Sequence, residues 1–282
     1  MTAPALGHSL AIGVFDSGVG GLSVLRELRA LLPEAATLYV ADSKYVPYGE
    51  KTPDFIRERS AAIMHFLAER RPAAVVVACN TATTYAIDRL RHDYPAIPIV
   101  GMEPAIKPAA RATRTGVVGI LATEATLAGE RVTKLIERNA DGIHVLTQPC
   151  PGLVERVEAG DLSGPETVAL ITRYTAPLVA RGADTLVLGC THYTFLRRAI
   201  EGVVGPAVTL FDSAAAVARQ TARVLRERGT AAGAEGQTAS TAEPVGLAGS
   251  TTFFTSGEVA AVRRVFEALW PGPPPDLRPL GL

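Results

Sequence analysis

Short apolar runs recur along the chain and predict strands at Ala11–Phe15, Thr37–Ala41, Ala74–Cys79, Ile97–Val100, Gly116–Leu121, Ile143–Leu146, Thr185–Gly189 and Ala207–Phe211. Their apolar character is near-continuous rather than alternating, as in strands covered on both faces. Between most of them lie segments with helical period. The span 54–71 is the clearest, with Ile56, Ile63, Phe66 and Leu67 on one stripe and charges opposite. The spans 22–32, 126–139, 165–181 and 214–228 read similarly. Strand–helix alternation of this kind predicts an α/β fold of mostly parallel sheets flanked by helices. A tail at 252–270 regains enough apolar residues to dock a helix, and Pro271–Pro275 follows it.

Two of the runs end in cysteine. One reads Ala74-Val75-Val76-Val77-Ala78-Cys79-Asn80-Thr81; the other, 111 positions later, reads Thr185-Leu186-Val187-Leu188-Gly189-Cys190-Thr191-His192. Each is followed by a helix-compatible segment. Each cysteine is therefore expected at the carboxyl end of a strand beside a helix N-terminus, where open α/β sheets bind ligands and where the helix dipole favours a thiolate. A single buried cysteine at a strand end usually serves as a small core residue. The pairing argues for more, as do the hydroxyl- and amide-bearing neighbours Asn80, Thr81, Thr83, Thr84, Thr191 and Thr194.

Length and composition narrow the function. At 282 residues the chain has room for about two domains. Its 28 basic and 28 acidic residues balance, which gives no sign of a nucleic-acid or membrane-surface partner. No apolar run reaches a membrane span, and residues 1–10 lack the pattern of a signal peptide. The three cysteines, Cys79, Cys150 and Cys190, are too widely spaced for a disulfide scaffold or a four-ligand zinc site and fit a reduced, cytoplasmic setting. Cys150, between two prolines, reads as structural. Lysine is scarce, which narrows the field for a Schiff-base residue. Residues 229–249, rich in Ala, Gly, Thr and Glu, read as a flexible loop.

The first loop, Asp16-Ser17-Gly18-Val19-Gly20-Gly21-Leu22-Ser23, invites a dinucleotide reading, with Asp42 as the ribose-binding acid. The third glycine of that fingerprint is missing, and Asp16 would repel a pyrophosphate. An acid and a hydroxyl on a Gly-rich turn suit an ammonium group better, although a plain helix cap is also compatible. His192 is open to two readings, as a partner of the neighbouring thiol or substrate and as a helix-start residue in contact with solvent.

Two opposed thiols can invert a stereocentre. One, as thiolate, removes a proton from one face of a carbon; the other, as thiol, returns a proton to the opposite face. A proton alpha to a carboxylate is weakly acidic, so the site must be dry and closed, with its thiol pKa values tuned by the surroundings. A two-domain cleft follows from that requirement.

The motifs Asp16-Ser17-Gly18-Val19-Gly20-Gly21-Leu22-Ser23, Pro47-Tyr48-Gly49, Cys79-Asn80-Thr81-Ala82 and Gly189-Cys190-Thr191-His192-Tyr193 occur in the order found in the glutamate racemases, and the chain resembles that family of the cofactor-independent aspartate/glutamate racemase superfamily. Weaker matches are Glu103-Pro104, 122–126 and Glu158-Ala159-Gly160. The resemblance implies two similar α/β domains, 1–103 plus 213–282 and 104–212, with the active site between them. It implies Cys79 and Cys190 as the acid/base pair, assisted by Asp16 and His192 respectively, with Glu158 supporting His192. Asp16, Ser17, Pro47, Tyr48, Gly49, Cys79, Asn80, Thr81, Thr123, Thr126, Cys190, Thr191 and His192 would contact substrate. It further implies no cofactor and no metal, glutamate as substrate, a homodimer, and D-glutamate supplied to peptidoglycan. The chain departs from the family pattern in Thr194, where proline is usual, in the charged pair Glu155-Arg156 within a normally apolar stretch, and in the longer segment 229–249.

Overall fold

The computed structural model describes residues 11–234, 249–271 and 276–282. In chain order they form β1 (Ala11–Asp16), α1 (Leu22–Leu31), β2 (Ala36–Ala41), α2 (Pro53–Ala68), β3 (Ala74–Val77), α3 (Asn80–Asp93), β4 (Ile99–Val100), α4 (Ile106–Ala112), β5 (Val117–Ala122), α5 (Glu124–Ala128), α6 (Glu130–Asn139), β6 (His144–Pro149), α7 (Leu153–Glu158), α8 (Pro165–Ala180), β7 (Thr185–Leu188), α9 (Arg197–Val204), β8 (Thr209–Phe211), α10 (Ala214–Ala234), β9 (Thr251–Thr255), α11 (Val259–Leu269) and β10 (Leu277–Pro279). Single 3-10 turns lie at Tyr48–Glu50 and His192–Thr194.

The strands build two sheets, a six-stranded one in the order β10-β9-β2-β1-β3-β4 and a four-stranded one in the order β6-β5-β7-β8. All pairings are parallel. Every residue of β1, β2, β3 and β7 is buried, which accounts for their near-continuous apolar sequences. One apolar cluster joins Ile12, Val14 and Leu25, around the larger sheet, to Leu121, Leu186 and Leu188 of the smaller one. Among the described residues no helix is long and apolar enough to cross a membrane.

Local chemistry sets the helix starts. Thr52 caps α2 by accepting from the Phe55 amide, and Pro53 occupies the first turn, where a missing N–H costs nothing. Glu258 caps α11 through the amides of Ala260 and Ala261. Phe266 of that helix packs edge-on against Tyr39 and Phe253, and Phe253 in turn against Trp270, which ties the tail to the larger sheet.

Several sequence expectations change. The predicted helix at 126–139 is two helices, broken at Gly129, where the backbone turns extended and a side chain would strike Thr84. The helix read as ending at residue 228 runs on to Ala234, so 229–234 is helical and not loop. The rest of the predicted loop, 235–248, lies outside the described residues, as do residues 1–10 and 272–275. The tail also holds two strands that the sequence reading does not predict: β9, with Phe253 and Phe254 buried, pairs with β2, and β10 pairs with β9 as the edge of the sheet. The charged pair Glu155-Arg156 proves compatible with an amphipathic α7. Leu153, Val154 and Val157 are buried, whereas Arg156 faces out to pair with Glu166 and Asp161.

Candidate active site

The carboxyl ends of β1, β3, β5 and β7 converge between the sheets, as expected for ligand sites of parallel sheets. Around that point Ser17, Pro47, Tyr48, Gly49, Cys79, Asn80, Thr81, Thr123, Val154, Cys190, Thr191 and His192 line one small cavity of about 10 Å³. Cys79 follows β3 and Cys190 follows β7, so the two thiols reach this space from opposite halves, and both are buried, at 5% and 7% exposure. Asp16, Glu158 and Thr126 stand behind the lining. Val154 is a wall residue that the sequence reading missed; as one apolar position in an amphipathic helix, it carried no signal of its own.

The two sulfurs have different surroundings. Cys79 is the N-cap of α3, and its Sγ accepts the Ala82 amide at 3.4 Å while lying 3.9 Å from the Ser17 hydroxyl. Cys190 has no α-helix at its back, contrary to the sequence expectation. It is followed by the 3-10 turn His192–Thr194, whose i→i+3 bonds include Tyr193 N to Cys190 O and Thr194 N to Thr191 O. The Thr194 amide is thus used where the family's usual proline would offer none. In place of a helix terminus, Cys190 has His192, whose Nδ1 is 3.8 Å from Sγ.

His192 is held from behind. Its Nε2 lies 2.6 Å from Glu158 Oε1, and the same carboxylate oxygen accepts the Val19 amide at 2.8 Å. Burial alone would lower the affinity of this ring for a proton, but its hydrogen bonds to Cys190 and Glu158 outweigh burial and raise the pKa well above the ordinary histidine value. A protonated ring in this place donates on both sides, from Nδ1 toward Cys190 and from Nε2 to Glu158. Burial raises the Cys79 thiol well above its ordinary range, and the Asp16 carboxylate adds to the effect, so this sulfur rests as a neutral thiol. Asp16 is itself raised by burial, although the charge of His192 and the Gly21 amide, 2.7 Å from Oδ2, act in the other direction.

The glycine loop now has a physical account. A side chain on Gly18 would collide with the Glu158 carboxylate, and one on Gly20 with His192 and Thr191. The glycines give the other half of the protein room to approach the loop, and the space a pyrophosphate would need is filled by Glu158 and His192. Asp42, the suspected ribose acid, is fully buried and bound to Tyr48 and Arg59.

On the far wall the hydroxyls of Thr81, Thr123 and Thr126 lie within 2.8–2.9 Å of one another. Next to them the Asn80 amide is buried at 3% exposure, and neither its oxygen nor its nitrogen has a hydrogen-bond partner. Unpaired buried amide groups are costly, and one in a cavity wall points to a ligand that completes it.

The Glu158–His192 pair makes a measurable prediction. In Glu158→Gln the ring keeps a hydrogen-bond partner but loses the nearby charge, so His192 is expected to release its proton at lower pH. Histidine-ring NMR titration checks this, and an unchanged midpoint would contradict it. Because folding raises this pKa, the interaction's contribution to stability is complete below about pH 6.5 and is lost as pH rises through the folded value.

The profile of the Asp/Glu/Hydantoin racemase family matches residues 19–221. A curated glutamate racemase from Pseudomonas aeruginosa is 51% identical over 266 residues, covering 94% of this chain and 96% of that protein. A solved glutamate racemase isoform from Bacillus anthracis superposes with a TM-score of 0.82 at 29% identity, covering 98% of this chain and 99% of the other. The Escherichia coli glutamate racemase, solved with L-glutamate and the activator UDP-MurNAc-ala, superposes with a TM-score of 0.81 at 34% identity over 96% and 99% of the two chains.

Proposed function

The chain belongs to the Asp/Glu/Hydantoin racemase family and is a racemase, and we propose that it interconverts L- and D-glutamate through a thiolate and a thiol acting on opposite faces of Cα. The observation that carries this reading is the presence of Cys79 and Cys190 on one cavity wall each, beside the unpartnered amide of Asn80. Glutamate is preferred as substrate because the curated and solved relatives named above are glutamate racemases.

In the forward half-reaction one sulfur, as thiolate, takes the Cα proton while the other, as thiol, gives its proton to the opposite face. The net change is inversion, with the proton inventory of the enzyme conserved and the roles of the sulfurs exchanged. His192 is the cationic donor beside Cys190. The backbone amides of Ala82 and Ser17 are the donors beside Cys79, and they favour its thiolate once a proton has to leave. Burial makes these interactions strong and keeps bulk water from the carbanion. The hydroxyls of Thr81 and Thr123 and the Asn80 amide supply uncharged partners for substrate polar groups, so no lysine or arginine side chain of the lining competes for the transferred proton.

A cavity of about 10 Å³ holds about one water and no amino acid. Substrate access therefore requires the halves to part, with 1–103 plus 213–282 moving against 104–212. The same reading makes the enzyme a cytoplasmic homodimer whose D-glutamate supplies peptidoglycan synthesis.

The test is incubation with L-glutamate in heavy water without added cofactor. Deuterium should enter Cα together with inversion. Binding without alpha exchange would make the protein a glutamate-binding module, and faster turnover of aspartate would move the specificity within the family.

A further inference from the structure

Asp42 follows β2, lies fully buried, and takes no part in the proton transfers described above. Its carboxylate nevertheless collects three hydrogen bonds. Arg59 of α2 donates from Nε to Oδ2 at 3.0 Å and from Nη2 to Oδ1 at 2.9 Å, in the fork geometry of guanidinium and carboxylate. The Tyr48 hydroxyl donates to Oδ2 at 2.5 Å. Tyr48 is 1% exposed, and its hydroxyl is committed to Asp42, so it presents ring and backbone to the cavity. Burial and the neighbouring Asp42 charge keep that hydroxyl protonated, which suits it as a permanent donor. On the other side of this turn, Gly49 lies against Thr123 so closely that a β-carbon there would come within 2.7 Å of the threonine's own. The turn is thus pinned at both ends, by Asp42 behind it and by the opposite half in front.

We propose that Asp42, oriented by Arg59, is a positioning residue for the substrate: it holds Tyr48, and through it the Pro47–Tyr48–Gly49 wall, at the distance from Cys79 and Thr123 that glutamate binding requires. The proposal rests on the reading of this cavity as a glutamate site. Since the anchor touches neither sulfur, it governs binding and leaves proton transfer alone. Arg59 also stacks over the Tyr45 ring, 4.4 Å from its centroid, so the guanidinium is fixed in orientation before it meets the carboxylate.

Tyr48→Phe removes only the hydroxyl and leaves the Asp42–Arg59 pair intact, whereas Arg59→Lys keeps the charge and loses the fork. Each is expected to raise KM for L-glutamate about tenfold with kcat within about threefold of wild type. The double variant should gain little beyond either single one, because both act through one carboxylate. Melting temperature is measured alongside. A lower Tm with KM unchanged in Tyr48→Phe would make the contact merely structural and overturn the proposal. So would a fall in kcat at constant KM, or full additivity in the double variant. A wild-type protein inert towards glutamate would remove the substrate reading and this proposal together; active wild type with an unaltered Tyr48→Phe KM would remove the proposal alone.

Discussion

Cys79→Ser and Cys190→Ser are each expected to lower racemisation of glutamate by about 10²–10⁴-fold, the range associated with losing a positioned acid or base. A hydroxyl is a far weaker acid than a thiol, and neither sulfur can reach the face served by the other. Because the two enantiomers are equal in free energy, each variant must lose kcat/KM equally in both directions. The sharper signature is isotopic. Each variant keeps one working base, so it should retain slow exchange of the alpha proton in a single enantiomer, without inversion, and the two variants should retain it in opposite enantiomers. Circular dichroism and proton NMR in heavy water read both quantities. Racemisation within tenfold of wild type in either variant would dismiss that sulfur as a base.

Gly20→Ala should cost about 100-fold in kcat/KM, with folding stability falling by no more than the usual consequence of overpacking, about 1–3 kcal/mol. Gly20 is not among the glycines with positive φ, so alanine suffers no backbone strain there. Its methyl would lie 2.6 Å from Thr191 Oγ1 and 2.7 Å from His192 Cε1. The neighbours it displaces are the hydroxyl and the imidazolium next to Cys190, and their movement either lengthens the 3.8 Å contact with Sγ or holds the halves apart. Each half keeps its own buried strands, which is why activity should fall far more than stability. An active Gly20→Ala enzyme would show that close approach of the loop to His192 is dispensable.

The larger features of the fold were legible because they rest on local physics. Continuous apolar runs announced buried parallel strands, and the stripe Ile56, Ile63, Phe66 and Leu67 announced α2, each of these residues being buried. Cys79 at a strand end beside a helix start could be read from a few neighbouring residues, and the structure places it as the cap of α3. Cys190 could not be read in that way, because nothing local distinguishes a 3-10 turn from the first turn of a helix when both are rich in threonine. The break at Gly129 was invisible for a similar reason: it depends on Thr84, which is far away in sequence.

By itself the sequence determined which segments are strands and helices, that the sheets are parallel, and that two thiols stand at strand ends; all of these follow from periodicity and short-range propensity. The family resemblance named Asp16, His192 and Glu158 as partners of the thiols, but only the tertiary structure decided how those groups meet. Glu158 reaches His192 across 34 positions, and Thr191 reaches Asp16 across 175. Those partnerships arise where two sheets present their strand ends to one space, and hydrogen bonds and charge interactions depend on distance and burial in three dimensions, which residue order does not encode locally.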